Sequence, residues 1–204
     1  MAEPAKRHPT VYYIRHGETD WNVTGRLQGR RDVPLNARGR AQAVHCGEIL
    51  RELFARDGRS VSELDFVSSP LGRARTTMEL ARAPLGLPAD GYRIEPQLAE
   101  IAFGEWEGFT IAQLHSHDPQ RIAAREQDKW HFVPPGGESY EAVSARMREW
   151  YEGLARDTVA VAHGGTARGL VAYFGIAKPA SAPLVDIAQG VVYVFEDDRM
   201  TRYA

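Results

Sequence analysis

The chain has 204 residues, 43% hydrophobic and 25% charged, with a net charge of −2 and a pI near 6.4. That length suits one well-buried domain or at most two small ones, and the balanced charge excludes the broad positive field that draws a protein to nucleic acid or acidic membranes. The only cysteine, Cys46, has no intrachain disulfide partner, no apolar run reaches transmembrane length, and Arg15-His16 comes too early for the core of a cleavable leader to precede it, so a cytoplasmic single-domain protein is expected.

Residues 1–8 read as a short disordered lead, and the compact apolar run at 10–14 as a strand. The segment 23–35 is polar and carries Gly25, Gly29 and Pro34, which predicts a loop. Asn36 is placed to cap a helix over 37–56 with Ala43, Cys46, Ile49, Leu50, Leu53 and Phe54 on its inner face, ended by Asp57-Gly58. Cys46 lies on that apolar stripe and reads as core filling. A short strand at 65–68 leads into a helix starting at Ser69 or Pro70, with Arg75 and Arg82 on its solvated face. A third strand is expected from Tyr92 to Glu95. The stretch 101–138 has only weak helical pattern, and reads as an insertion covering the end of the sheet within a single 1–204 domain. Its Trp106, Trp130 and Phe132 fit packing and substrate contact equally well. Ser139 caps an amphipathic helix with Val143, Met147, Trp150, Tyr151 and Leu154 on one stripe. A strand at 158–162, a helix after Gly165, the run Gly190 to Phe195, a turn at Asp197-Asp198 and a short tail complete the chain. Strands alternating with helices predict a mostly parallel α/β sheet covered on both faces.

Two strands run directly into histidines beside glycines: Val11–Ile14 into Arg15-His16-Gly17, and Val159–Ala162 into His163-Gly164-Gly165. In an open α/β sheet, ligands sit past the carboxyl ends of the strands, so both imidazoles can reach one cleft. A phosphate ester is a dianion that a nucleophile approaches only once cations offset its charge. Arg15 offers a planar donor fork for phosphate oxygens, and His16 a nitrogen lone pair for in-line attack. Neighbouring arginines disfavour a protonated His16. His163 would donate to a non-bridging oxygen, helped by the N–H groups of Gly164 and Gly165 at a helix start. The alternative for each histidine alone is a residue that merely ends a strand.

The extended string Arg15-His16-Gly17-Glu18-Thr19-Asp20-Trp21-Asn22 resembles the signature of the histidine phosphatase (phosphoglycerate mutase-like) superfamily. The resemblance continues through Gly25–Gly29, Asp32–Leu35, Ser68–Thr77, Leu98–Gly108 and His163. It implies a three-layer α/β/α sandwich, mostly parallel with one antiparallel edge strand. By analogy Asn22 donates to the phosphate, Gln28-Gly29 lines the pocket, and Arg73 binds phosphate. Gln28-Gly29 also reads as an ordinary turn. Glu100 takes the place of the acid that protonates the leaving oxygen, since a carboxyl facing a dianion keeps its proton nearer neutrality. Glu105 reads as solvated, and Glu107 as undecided between solvation and orienting its loop.

The implied activity is phosphomonoester hydrolysis on a small phosphorylated metabolite, with no cofactor and no metal. The phosphatase branch is favoured over a phosphoglycerate mutase, because 109–138 is short and holds only Arg121, Arg125 and Lys129 as cations. A catalytically silent scaffold is the other alternative. His115-Ser116-His117-Asp118 has the flavour of a metal site but lacks further ligands in context, and reads as polar surface. Gly165–Gly169 is no P-loop, since no Lys-Ser or Lys-Thr follows. No self-association surface is legible, which leaves the oligomeric state open.

Overall fold

The computed structural model describes residues 8–204. The expected lead falls on undescribed residues 1–7 apart from His8, which stacks on Tyr151 at 6.2 Å between ring centroids. The described residues form one six-stranded sheet: β1 (Val11–Arg15), β2 (Asp65–Ser68), β3 (Arg93–Ile94), β4 (Thr158–Ala162), β5 (Val192–Glu196) and β6 (Arg199–Tyr203), in the order β3-β2-β4-β1-β5-β6. The helices are α1 (Asp20–Val23), α2 (Ala37–Arg56), α3 (Gly72–Arg82), α4 (Ile111–His117), α5 (Pro119–Gln127), α6 (Tyr140–Glu152) and α7 (Gly164–Tyr173).

Strand alternation builds the layers. Tyr12 and Ile14 of β1, with Phe66, Val159 and Val161, pack against α2 and α3, where Cys46, Leu50 and Met78 are buried. Val11 and Tyr13, with Val67, Ala160 and Ala162, pack on the other face against Val143, Met147 and Trp150 of α6 and Leu170 of α7. Cys46 is core filling as expected, and burial pushes its thiol up to about 12. Strands β1, β2, β3 and β4 are mutually parallel, and β5 runs antiparallel to both β1 and β6. The reversed strand thus lies one place in from the edge. The edge itself is β6, formed by residues read from sequence as a tail, and Asp197-Asp198 make the tight turn between them at φ 47° and 59°.

Three other expectations need correction. Helix α3 starts at Gly72, not at Ser69 or Pro70, because the Asp32 carboxylate reaches across to accept from Gly72 N at 2.6 Å and Arg73 N at 3.2 Å. Arg82 is buried, donating to the Pro88 carbonyl at 2.7 Å with its guanidinium over the Phe66 ring. Arg75 is exposed as expected. The stretch 101–138 contains α4 and α5, which gather Trp106, Leu114 and Ile122 into a small apolar cluster of their own.

Candidate active site

The parallel pairing of β1 with β4 sets Arg15 opposite Ala162, so the residues that follow, His16 and His163, leave the sheet side by side. His16 N donates to Ala162 O at 2.9 Å, and the two imidazole centroids lie 5.2 Å apart. Gly17 packs against the Gly39 backbone of α2, where a Cβ would collide with the Gly39 carbonyl. Its N–H donates to Thr77 Oγ1 at 3.0 Å, which ties the histidine loop to α3.

The state of His16 follows from its partners. Nδ1 lies 2.7 Å from the Gly17 carbonyl, which can only accept, so the ring proton sits on Nδ1 and Nε2 carries the lone pair. Arg73 Nε donates to that lone pair at 3.3 Å. Burial, then the charges of Arg73 and Arg15, hold His16 well below the usual histidine range, so it is neutral at pH 7. Arg73 is itself 1% exposed, and its other two nitrogens donate to the Arg31 and Gly29 carbonyls at 2.6 and 2.7 Å. This fixes its fork, with the Asp32 carboxylate 3.8 Å from one of its terminal nitrogens.

Arg15, His16, Asn22, Gln28, Gly29, Arg73, Glu100 and Gly164 line one pocket of about 250 Å³. Arg15 donates to Ile187 O at 2.7 Å, and its Nε is buried with no hydrogen-bond partner. The Asn22 carboxamide oxygen accepts from Thr19 N at 3.1 Å, Thr19 Oγ1 at 3.0 Å and Gln189 Nε2 at 3.0 Å. All its acceptor capacity is spent on the protein, which leaves the NH2 end for a ligand. Glu100 Oε1 accepts from Ile101 N and Gly165 N, both at 2.9 Å. Gly165 is obligatory there, because a Cβ would run into that carboxylate and into Ile101.

His163 stands apart from the lining set. It is fully buried behind His16, with Nε2 at 2.7 Å from Ser69 Oγ and Nδ1 buried without a partner. Burial, then above all the charge of Arg73, with that of Arg15, keeps it well below the usual range and hence neutral. Trp106, Trp130 and Phe132 are packing residues: Trp106 stacks on Phe132 and donates to Asp118 at 3.1 Å, while Trp130 joins the core around α6. Glu107 accepts from Arg30 N at 2.9 Å and Phe103 N at 3.2 Å, so it orients the loop, and Glu105 is exposed. His115 pairs with Glu126 at 3.2 Å and His117 stacks on Phe109. Among the described residues no group of three or more His, Cys, Asp or Glu side chains could hold a metal ion.

Sequence reading missed several residues here. Tyr13 looks like core, yet its hydroxyl donates to His163 O at 2.7 Å, accepts from His163 N at 3.0 Å and lies 2.6 Å from Thr166 Oγ1. Gln189 bridges the His16 carbonyl and Asn22, both at 3.0 Å, from a segment with no motif of its own. Arg26, Arg125 and Arg168 also line the pocket. An arginine four residues after Gly164 falls one helical turn on and so shares its face, which is the signal that could have found Arg168.

The family model described as histidine phosphatase superfamily (branch 1) matches residues 11–202. The chain is 37% identical over 173 residues to the glucosyl-3-phosphoglycerate phosphatase of Mycobacterium tuberculosis, covering 78% of this chain and 72% of that protein. It is 33% identical to mouse 6-phosphofructo-2-kinase/fructose-2,6-bisphosphatase 1 over 81% of this chain, which spans only 32% of that longer protein. The crystal structure of the alpha-ribazole phosphatase from Shigella flexneri superposes with a TM-score of 0.77 at 29% identity, covering 94% of this chain and 93% of that one. The match of that family model over residues 11–202, with a relative 37% identical over most of both chains, places the chain in the histidine phosphatase superfamily.

Proposed function

We propose that the protein hydrolyses phosphomonoesters of small metabolites through a phosphohistidine on His16. Nε2 attacks phosphorus in line, the N–P bond forming as the P–O bond to the alcohol breaks. Arg15, Arg73, the Asn22 NH2 and His163 Nδ1 hold the non-bridging oxygens, where charge develops in the transition state. Gln28, Gly29 and the Gly164 N–H shape and line the same cradle. Glu100, anchored through Oε1, offers its second oxygen to protonate the departing alkoxide. It then takes the proton of the water that cleaves the N–P bond.

One observation carries this reading: a buried, neutral His16 whose Nδ1–H is committed to Gly17 O, with its lone pair facing a fixed guanidinium. Such an imidazole is a nucleophile from the outset and needs no base to activate it. The named relatives, a glucosyl-3-phosphoglycerate phosphatase and a 6-phosphofructo-2-kinase/fructose-2,6-bisphosphatase, support a small phosphorylated metabolite as substrate. The family match over 11–202 supports one domain, and the lining residues Ile101, Phe103 and Arg125 support 101–138 lying against the pocket. No described helix is long and apolar enough to cross a membrane, and with the lone buried cysteine this supports a cytoplasmic setting. Turnover of p-nitrophenyl phosphate, acid-free quenching and mass spectrometry should find a phosphoryl group on His16, and His16→Ala should abolish turnover with a native circular dichroism spectrum. An adduct elsewhere, activity surviving in His16→Ala, or silencing by a chelator would overturn the mechanism.

A further inference from the structure

The sheet delivers one more segment to the nucleophile. Strand β5 runs antiparallel to β1 with Val192 opposite Ile14, so the residues just before β5 pass beside those just after β1. The reversed strand therefore enters the sheet at the end where the parallel strands release their histidines. Ile187, Ala188 and Gln189 of that entering segment are each tied down by a hydrogen bond. Ile187 O accepts from Arg15 at 2.7 Å. Ala188 N donates at 2.7 Å to the hydroxyl of Tyr193, which is buried on β5. Gln189 Nε2 donates to His16 O and to Asn22 Oδ1, both at 3.0 Å.

The direction of these last two bonds is fixed. Thr19 N can only donate, and it reaches the Asn22 carboxamide at 3.1 Å, so the atom it meets is the oxygen. The His16 carbonyl likewise only accepts. Gln189 must present its NH2 group to both, because the reverse orientation would set its own oxygen against two acceptors. Thr19 thus holds the Asn22 oxygen from the helix cap and Gln189 holds it from across the fold, which leaves the Asn22 NH2 for the pocket. The same Gln189 NH2 group grips the main chain of the nucleophile, whose ring proton is committed one residue on, to Gly17 O. Gln189 itself does not line the pocket.

We propose that Gln189 is a positioning residue, which sets the orientation of the Asn22 carboxamide and the main chain of His16 without touching the substrate. The inference rests on the phosphatase reading of the pocket and adds to it a residue that acts from behind. A single amide couples the imidazole that attacks phosphorus to the amide that receives a phosphoryl oxygen.

Two substitutions test it. Gln189→Leu keeps the bulk of the side chain and removes the donor, and should lower kcat/KM for p-nitrophenyl phosphate about tenfold. In an Asn22→Ala background the same change should cost no more than about threefold, because the group it orients has gone. Gln189→Glu separates orientation from packing. Its ionised carboxylate faces two acceptors, whereas its protonated form donates to one of them. Activity of Gln189→Glu relative to wild type should therefore rise as the pH falls from 8 to 5, while that of Gln189→Leu relative to wild type stays flat. Should Gln189→Leu fail to fold, the pH dependence of the Gln189→Glu ratio decides alone. Calorimetric titration of inorganic phosphate into the same proteins reads the coupling to Asn22 without turnover. If phosphate affinity shows that coupling and wild type hydrolyses no ester, the catalytic reading fails and the role of Gln189 stands. Equal losses from Gln189→Leu in both backgrounds, in activity and in phosphate affinity, or a Gln189→Glu ratio independent of pH, would overturn it.

Discussion

Acidification from pH 7.5 to 5.5 should destabilise the fold through two residues above all. His16 and His163 are 2% and 0% exposed and are both held neutral, far below the ordinary histidine value of 6.5. In the unfolded chain they regain that ordinary value, so below it the unfolded state binds protons that the native state refuses. Stability present above pH 6.5 is therefore lost as the pH falls, and the loss continues down to the native-state values. Each imidazole contributes about 1.4 kcal/mol over this interval, hence about 2.7 kcal/mol for the pair. His131 works in the opposite sense, since Asp128 raises its proton affinity, but it is exposed and common to every variant compared. Urea titrations in phosphate-free buffer, followed by tryptophan fluorescence at several pH values, measure the loss by linear extrapolation. His16→Asn should remove about half of the pH dependence, and the His16→Asn/His163→Asn double variant most of it. A double variant with the same pH slope as wild type would refute the buried neutral state, and with it the basis for nucleophilic attack without a general base.

Two further outcomes follow from individual contacts. Tyr13→Phe removes a buried hydroxyl that serves both backbone groups of His163, although His163 N keeps Thr166 Oγ1 at 3.2 Å. It should cost about 2 kcal/mol and lower Tm by roughly 4–8 °C in a thermal melt, and an unchanged melt would show that the hydroxyl contributes nothing net. Glu100→Gln should reduce kcat for alkyl phosphates about 10²- to 10⁴-fold. The effect on p-nitrophenyl phosphate, whose leaving group departs without a proton, should be far smaller, and equal losses on both would remove Glu100 from the acid role.

Apolar periodicity made part of this fold legible. The stripe of α2, the Asn36 cap accepting from Gly39 N at 2.8 Å, the strands β1 and β4, and the Ser139-capped α6 are all where the sequence places them. Elements that bury little escaped. Helix α4 buries only Leu114 and α5 only Ile122, α1 is a single turn with no buried residue, and every residue of β6 is at least partly exposed. The start of α3 could not be read locally, because its cap, Asp32, comes from another segment. In the site, residues in contiguous strings were visible, and His16, Asn22, Gln28, Gly29, Arg73, Glu100 and Gly164 do share one pocket. Contributions across the fold were not. Tyr13, Gln189 and Arg125 are made relevant by β1 lying beside β4, by the approach of the segment before β5, and by the docking of α5, none of which leaves a mark in neighbouring sequence.

The adjacency of β1 and β4 makes their alignment a gauge for the distance between the two imidazoles. A slip of two residues preserves which face each side chain points to, and hence most of the packing, yet it would carry one ring past the other by about 6.6 Å. Such a protein could remain folded and be chemically dead. Insertions and deletions within Val11–Arg15 or Thr158–Ala162 should therefore be far more damaging to turnover than to solubility, whereas the stretch from Gln113 to Lys129 can change length with the pair of rings undisturbed.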